Sequence, residues 1–202
     1  VGGNLTLHAA LTMADFTDLF FDADSTLLGD GELVFTGTQN SGAWYPDVWI
    51  NGGRTLTIGP EITVRGGYGR FVRNGSTGTA SLVNQGVLTS NVNGRTLFVQ
   101  TQHFNNENLV QTESGGSVSI GVSTWENTGE LRAASATLSL TGSTTTHTGT
   151  LSVQGGTLSV SGGNWTHAGT TTLTSGALSL GGGTWSNAST IAISRAMAEI
   201  RE

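Results

Sequence analysis

Three groups of side chains in this chain of 202 residues have the types and spacing to do chemistry. The first is the acidic run Asp15, Asp18, Asp22, Asp24, Asp30 and Glu32. Carboxylates in a flexible loop suit Ca2+, which takes about six to eight oxygen ligands. The closest spacing makes Asp22, Asp24, Asp30 and Glu32 the calcium candidates. Against calcium, the run has neither the EF-hand pattern nor the Gly-Gly-x-Gly-x-Asp repeat of calcium-binding β-rolls, and Leu19, Phe20 and Phe21 interrupt it. The plainer expectation is a set of solvated carboxylates that keeps one end of the molecule from stacking onto another. The second group is Trp44-Tyr45-Pro46-Asp47-Val48-Trp49, followed by Arg54 and then Arg65, Tyr68, Arg70, Phe71 and Arg73. Exposed aromatic rings stack on sugar faces while Arg and Asp hydrogen-bond hydroxyls or carboxylates. Trp44, Tyr45, Asp47, Trp49 and Arg54 are therefore the glycan candidates, and the competing expectation is an excursion whose tryptophans pack down onto the body. The third group is His147 and His167, twenty residues apart. Two imidazoles could share a metal, but a closed site wants four ligands, so a structural His/Asn ladder flanked by Asn127 and Asn187 is the simpler reading.

The elements that hold these residues are written as a repeat. Leu138 and Leu140 recur as Leu158 and Val160 and again as Leu178 and Leu180. Trp125, Thr145, Trp165 and Trp185 keep the same interval, as do Asn127, His147, His167 and Asn187, and Gly129, Gly149 and Gly169. Upstream, Val118 and Ile120 precede the Leu138 pair by twenty, and Leu97 and Val99 precede those by twenty-one. Gly53-Arg54-Thr55-Leu56-Thr57-Ile58 reappears as Gly94-Arg95-Thr96-Leu97-Phe98-Val99, which reads as the same phrase two turns later. Apolar positions alternate with a period of two, and β-branched residues fill the strands, so the unit is a coil of β-structure and not a helical repeat. One such coil buries about five apolar side chains at roughly 1.5 to 3 kcal/mol each. Ordering its backbone costs on the order of 20 to 40 kcal/mol. A lone coil cannot fold, and stacking must supply the difference.

The expected fold is all-β, a single-stranded parallel β-helix (β-solenoid) of about 20 residues per coil, with a short C-terminal helical segment. Residues 1–75 are expected to form irregular coils with loop excursions, 76–194 a regular solenoid, and 195–202 a helical cap or linker, because Arg195 to Glu202 turns charged and helix-favouring.

Composition narrows the function. Lysine and cysteine are absent, eight arginines face 14 acidic residues, and no basic run exists. Duplex nucleic acid and anionic membranes both require clustered positive charge, so neither is expected as a partner. No apolar stretch is long enough to span a membrane. Val1 begins without a charged and then apolar leader, so any secretion signal lies outside this sequence. Between Ala133 and Ser194 there is no Asp, Glu, Lys or Arg. Alternation there sets Thr137, Ser139 and Thr141 beside Thr157, Ser159 and Ser161 on one outer face. A second carries Thr150, Ser152, Thr170, Thr172 and Thr174, and a third Thr144, Thr146, Thr148, Asn164 and Thr166. A flat hydroxyl grid at about 4.8 Å across coils could order water, which makes ice binding an alternative. Interruptions at Ala177, Gly181, Ala192 and Gln154 count against it.

The phrase Trp125-x-Asn127-x-Gly129-x-Leu131, then Leu138-x-Leu140 and Gly142, resembles the repeats of large secreted bacterial proteins, the filamentous-haemagglutinin-like adhesins and autotransporter passenger domains. That resemblance implies an extracellular or cell-surface β-helix acting as stalk, adhesin or matrix component, with a glycan, host or matrix surface as partner; self-association along the rod axis is a further expectation. No cofactor is expected apart from the calcium alternative. No catalytic residue is assigned, and a carbohydrate-active β-helix enzyme of the polysaccharide-lyase kind, working through residues 15–75, stands as the other alternative.

Overall fold

The computed structural model describes residues 1–38, 45–142, 146–194 and 197–200. Alternating residues build short strands, and each circuit of the chain lays down three of them, so the molecule has three faces. The first face stacks Leu5–Leu7, Ser25–Gly29, Thr55–Ile58, Ser81–Asn84, His103–Asn106, Thr124–Asn127, Thr146–His147, Trp165–His167 and Trp185–Asn187. The second stacks Ala10–Met13, Glu32–Phe35, Thr63–Gly66, Val87–Ser90, Leu109–Thr112 and Glu130–Ala133, then the opening halves of Thr150–Ser161 and Thr170–Leu180, then Ile191–Ile193. The third stacks Asp18–Phe21, Asp47–Asn51, Gly69–Asn74, Thr96–Gln100, Ser117–Gly121 and Thr137–Thr141, the closing halves of the same two long strands, and Met197–Ile200. In the late coils the strand runs through the corner between second and third faces, with a register shift between Val153 and Thr157, and this joins the two faces into one sheet. Pairing between neighbouring coils is parallel throughout these stacks.

One inward column on the first face tracks the coil length. It runs Leu5, Leu27, Ile58, Asn84, Asn106, Asn127, His147, His167, Asn187. Between successive members lie 22, 31, 26, 22, 21, 20, 20 and 20 residues, about eight turns in all. The irregular first part and the regular second part expected from the sequence are therefore one continuous stack. A single apolar cluster runs along its axis from Leu7 to Leu180. Each coil closes its own apolar side chains against those of the coils before and after it, which is why neighbours must stack to be stable.

Two sequence expectations are corrected. Met197–Ile200 is a strand, in register with Ala177–Leu180, and no described residue is helical. The open edge of the preceding coil offers unpaired N–H and C=O groups, and pairing with it outweighs a helix propensity of a few tenths of a kcal/mol per residue. The phrase at Gly53 is also not the coil equivalent of the phrase at Gly94. Thr55–Ile58 lies on the first face and Thr96–Gln100 on the third. What they share is a local turn: Arg54 N–H donates to Asn51 C=O and Arg95 N–H to Val92 C=O, with Gly53 and Gly94 both at positive φ. A turn followed by an alternating strand opens any face.

Candidate functional site

The acidic residues of the first coils are spread around the circumference and each is committed to a neighbour. Asp15 accepts from the backbone N–H and the hydroxyl of Thr38 (2.8 and 2.6 Å), and Asp18 from the Trp49 indole N–H (2.9 Å). Asp22 accepts from the Asn51 amide and Asp24 from the Thr55 N–H, both at the corner leading into the first face. Asp30 lies beyond that face and pairs with His8 at 2.9 Å, a bond that holds its carboxyl below the ordinary carboxylate range. Glu32 is on the second face, where the Arg65 guanidinium grips both its oxygens and lowers its pKa. Asp22, Asp24, Asp30 and Glu32 therefore do not converge, and among the described residues no three His, Cys, Asp or Glu side chains form a metal-holding group. The carboxylates act as rungs between successive coils. Of the acids of residues 15–75, Asp18 and Asp47 are register neighbours on the third face, with Arg70 next in the same column.

The aromatic candidates do come together, on the third face. Register there aligns Asp18, Asp47, Arg70 and Phe98 in one outward column and Phe20, Trp49, Val72 and Gln100 in the next. Phe20 and Trp49 stack with ring centroids 6.0 Å apart and planes within 9°. Phe20 remains 42% exposed, and the Asp18 carboxylate fixes the indole by its N–H. Beside them Tyr45 sits between Tyr68 and Phe98 (5.6 and 5.5 Å), with the Arg70 guanidinium 4.9 Å over its ring. Arg70 is held in turn by Asp47, its Nε 2.7 Å from the carboxylate. Asp47 is only 4% exposed, and burial lifts its pKa against the opposing pull of Arg70. Burial likewise raises the Tyr45 hydroxyl pKa. Arg95 lies 5.7 Å over Tyr68 and donates to the Gly37 carbonyl, and Gly37 in turn pairs with Tyr68 in an isolated bridge.

Of the five glycan candidates, Tyr45, Asp47 and Trp49 thus share one surface. Arg54 does not: it is exposed at the far corner, where its carbonyl receives the Ser81 N–H. Trp44 lies outside the described residues. Asp18, Phe20, Phe98 and Arg95 belong to the surface although the glycan reading passed over them. A signal for the first two was present, since Asp18-Leu-Phe-Phe and Asp47-Val-Trp-Ile are one phrase, and they pair residue for residue.

Hydroxyl columns are present on all three faces, but Ser152 of the second is only 3% exposed, and Thr144 and the Thr146 side chain lie outside the described residues. Ser119, Ser139, Ser159 and Ser179 form an in-register column on the third face. On the second, the Thr150 and Thr170 hydroxyls are 3.1 Å apart. On the first, the Ser186 hydroxyl donates to Thr166 at 3.2 Å. Inside the first face the hydrogen-bonded ladder runs as far as His147: the Asn84 amide donates to Asn106 (2.7 Å), Asn106 to Asn127 (2.6 Å) and Asn127 to His147 Nδ1 (2.9 Å), while Asn187 at the end of the column donates to the Ser189 carbonyl. His147 and His167 then stack at 4.9 Å. Trp125, Trp165 and Trp185 pack alongside at 6.3 and 5.3 Å. No family model, curated protein or solved structure matches the chain.

Proposed function

We propose that the chain is the rigid β-helical part of a secreted bacterial surface or matrix protein, and that it contacts glycans through the third face of its first four coils. The observation that carries this reading is the Phe20–Trp49 stack, part exposed and oriented by Asp18, on the same flat surface as Tyr45, Asp47 and Arg70. Aromatic faces match the apolar faces of sugar rings, and fixed carboxylates and guanidinium groups hydrogen-bond their hydroxyls. The parallel stack supports the surface-protein part of the reading, because a solenoid keeps such a patch rigid and displays it along an extended body. No residue is assigned a catalytic role.

A glycan array probed with the native chain and with a Phe20→Ala, Trp49→Ala variant tests it. The native chain is expected to bind a restricted set of neutral or acidic glycans, and the variant to lose about two- to tenfold in affinity, since a stacked aromatic contact is worth about 0.5–1.5 kcal/mol beyond its buried area. Equal binding by the two proteins would remove the patch from the account.

A further inference from the structure

The geometry points to an acid-labile C-terminal end: protonation of the stacked His147 and His167 imidazoles opens the last three coils of the rod while the coils laddered by Asn alone stay folded. Both rings are fully buried, with planes 9° apart. Their surroundings are set for neutral imidazole. The Asn127 amide donates to His147 Nδ1, and it cannot turn over, because its oxygen accepts from Asn106 and its NH2 also donates to the Gly129 carbonyl. A proton arriving on Nδ1 therefore meets another donor. The proton of neutral His147 is on Nε2, which has no hydrogen-bond partner, and His167 Nδ1 has none either. A charged His167 has the Thr171 hydroxyl at Nε2 as its acceptor, 2.9 Å away, and none at Nδ1. A charged His147 has none at Nε2, and the pull of the Asn127 main chain towards its charged form is smaller than the opposing effect of burial.

No carboxylate nearby compensates, and the indoles of Trp125 and Trp165, each 6.4 Å from a His ring, are tilted or edge-on to it and not face-on. On the adjoining coil Glu126 is exposed and directed outward, and Glu130 and Arg132 pair with each other on the outer side of the second face. The side chains packed inward around the rings from the second face are Leu131, Leu151, Val153, Thr171 and Leu173, and the third face contributes Leu138, Leu140, Leu158, Val160, Leu178 and Leu180. Residues 133–194 contain no Asp, Glu, Lys or Arg at all. Each imidazolium would also lie against the other ring.

Burial first, and the neighbouring His167 second, lower the His147 pKa from 6.5 to about 4, and burial lowers that of His167. The opened segment takes the proton more readily than the folded one. Stability is therefore whole above pH 6.5, falls as pH drops from 6.5 towards 4, and levels off below that. For His147 alone the folding equilibrium of this segment shifts by about 300-fold over that range, tenfold per pH unit of displacement.

Residue-resolved amide hydrogen exchange on the full chain at pH 7, 5 and 4, corrected for intrinsic exchange, tests the inference. The comparison is a His147→Asn, His167→Asn variant, which carries the residue found elsewhere in this column. The native chain is expected to lose about 100-fold or more of its protection over 146–194 between pH 7 and 4, with 55–112 unchanged, and the variant to keep its protection in both regions. Uniform loss along the rod, or the same loss in the variant, would overturn it. Should the variant not fold, NMR titration of the native imidazoles decides. Protonation of His147 and His167 that coincides with loss of protection in 146–194 supports the inference, and protonation without it contradicts it.

Discussion

At the scale of single residues, the interior of this rod is governed by where a polar atom finds its partner. The Asn84–Asn106–Asn127 ladder runs in one direction, each amide NH2 donating to the next oxygen. The Asn84 oxygen has no donor because Ile58 precedes it in the column. At the other end, His167 Nε2 is satisfied by the Thr171 hydroxyl at 2.9 Å. His147 Nε2 is not, because the equivalent residue one coil earlier is Leu151. Thr171→Val keeps the shape and removes that partner. It is expected to cost about 1–3 kcal/mol, the penalty of stranding a buried polar group, read as a shift of the urea midpoint at unchanged slope. The Asp47–Arg70 pair makes a second case. Asp47→Ala leaves a part-buried guanidinium without its carboxylate and is expected to cost about 3–5 kcal/mol, whereas Asp47→Ala with Arg70→Met costs less than the single change. A double variant less stable than the single one would mean that the pair contributes nothing through its charge.

At the scale of strands and corners, coil spacing depends on how close one backbone can come to the next. A methyl group on Gly149 would sit 2.0 Å from the Gly129 carbonyl oxygen, inside contact distance of main chain that cannot move without parting the coils. At Gly53 the φ is +80° but a methyl group would meet nothing. Gly149→Ala is therefore expected to cost well over the roughly 1–2 kcal/mol of a left-handed alanine, and Gly53→Ala about that amount. Thermal melts of the two variants rank them, and the reverse order would contradict the corner geometry. The same elements show what the sequence made legible. From Asn127 to Asn187 nothing is inserted, so the period of twenty names every column, and the stacked His147–His167 pair and the tryptophan row follow from it. Between Leu27 and Asn84 the coils carry extra residues at their corners. Equal spacing then misleads: it matched Gly53–Ile58 with Gly94–Val99, which share a turn and not a face. The third-face patch was half legible for this reason. Its members are 29, 23 and 28 residues apart along the Asp18, Asp47, Arg70, Phe98 column, and only register brings them together. The C-terminal strand was not legible, because what makes Met197–Ile200 extended is the edge it pairs with and not its own residues.

At the scale of the whole molecule, the chain divides its chemistry along one axis. Charged and aromatic side chains are concentrated in the long early coils, and the uncharged late coils hold hydroxyl columns outside and the His stack within. About eight turns at roughly 4.8 Å each give a rod near 38 Å long, rigid enough to fix a patch at one end relative to an acid-sensitive segment at the other. Both functional readings depend on the columns being real, and a distance along the rod tests that most directly. The outward positions Thr57 and Ser186 belong to one first-face column, six coil spacings apart. Because the chain has no cysteine, Thr57→Cys with Ser186→Cys can carry two spin labels and nothing else. Pulsed electron paramagnetic resonance is expected to give one narrow distance distribution centred near 29 Å, six times the interstrand spacing. A broad distribution, or a narrow one centred beyond about 45 Å, would contradict the continuous parallel stack.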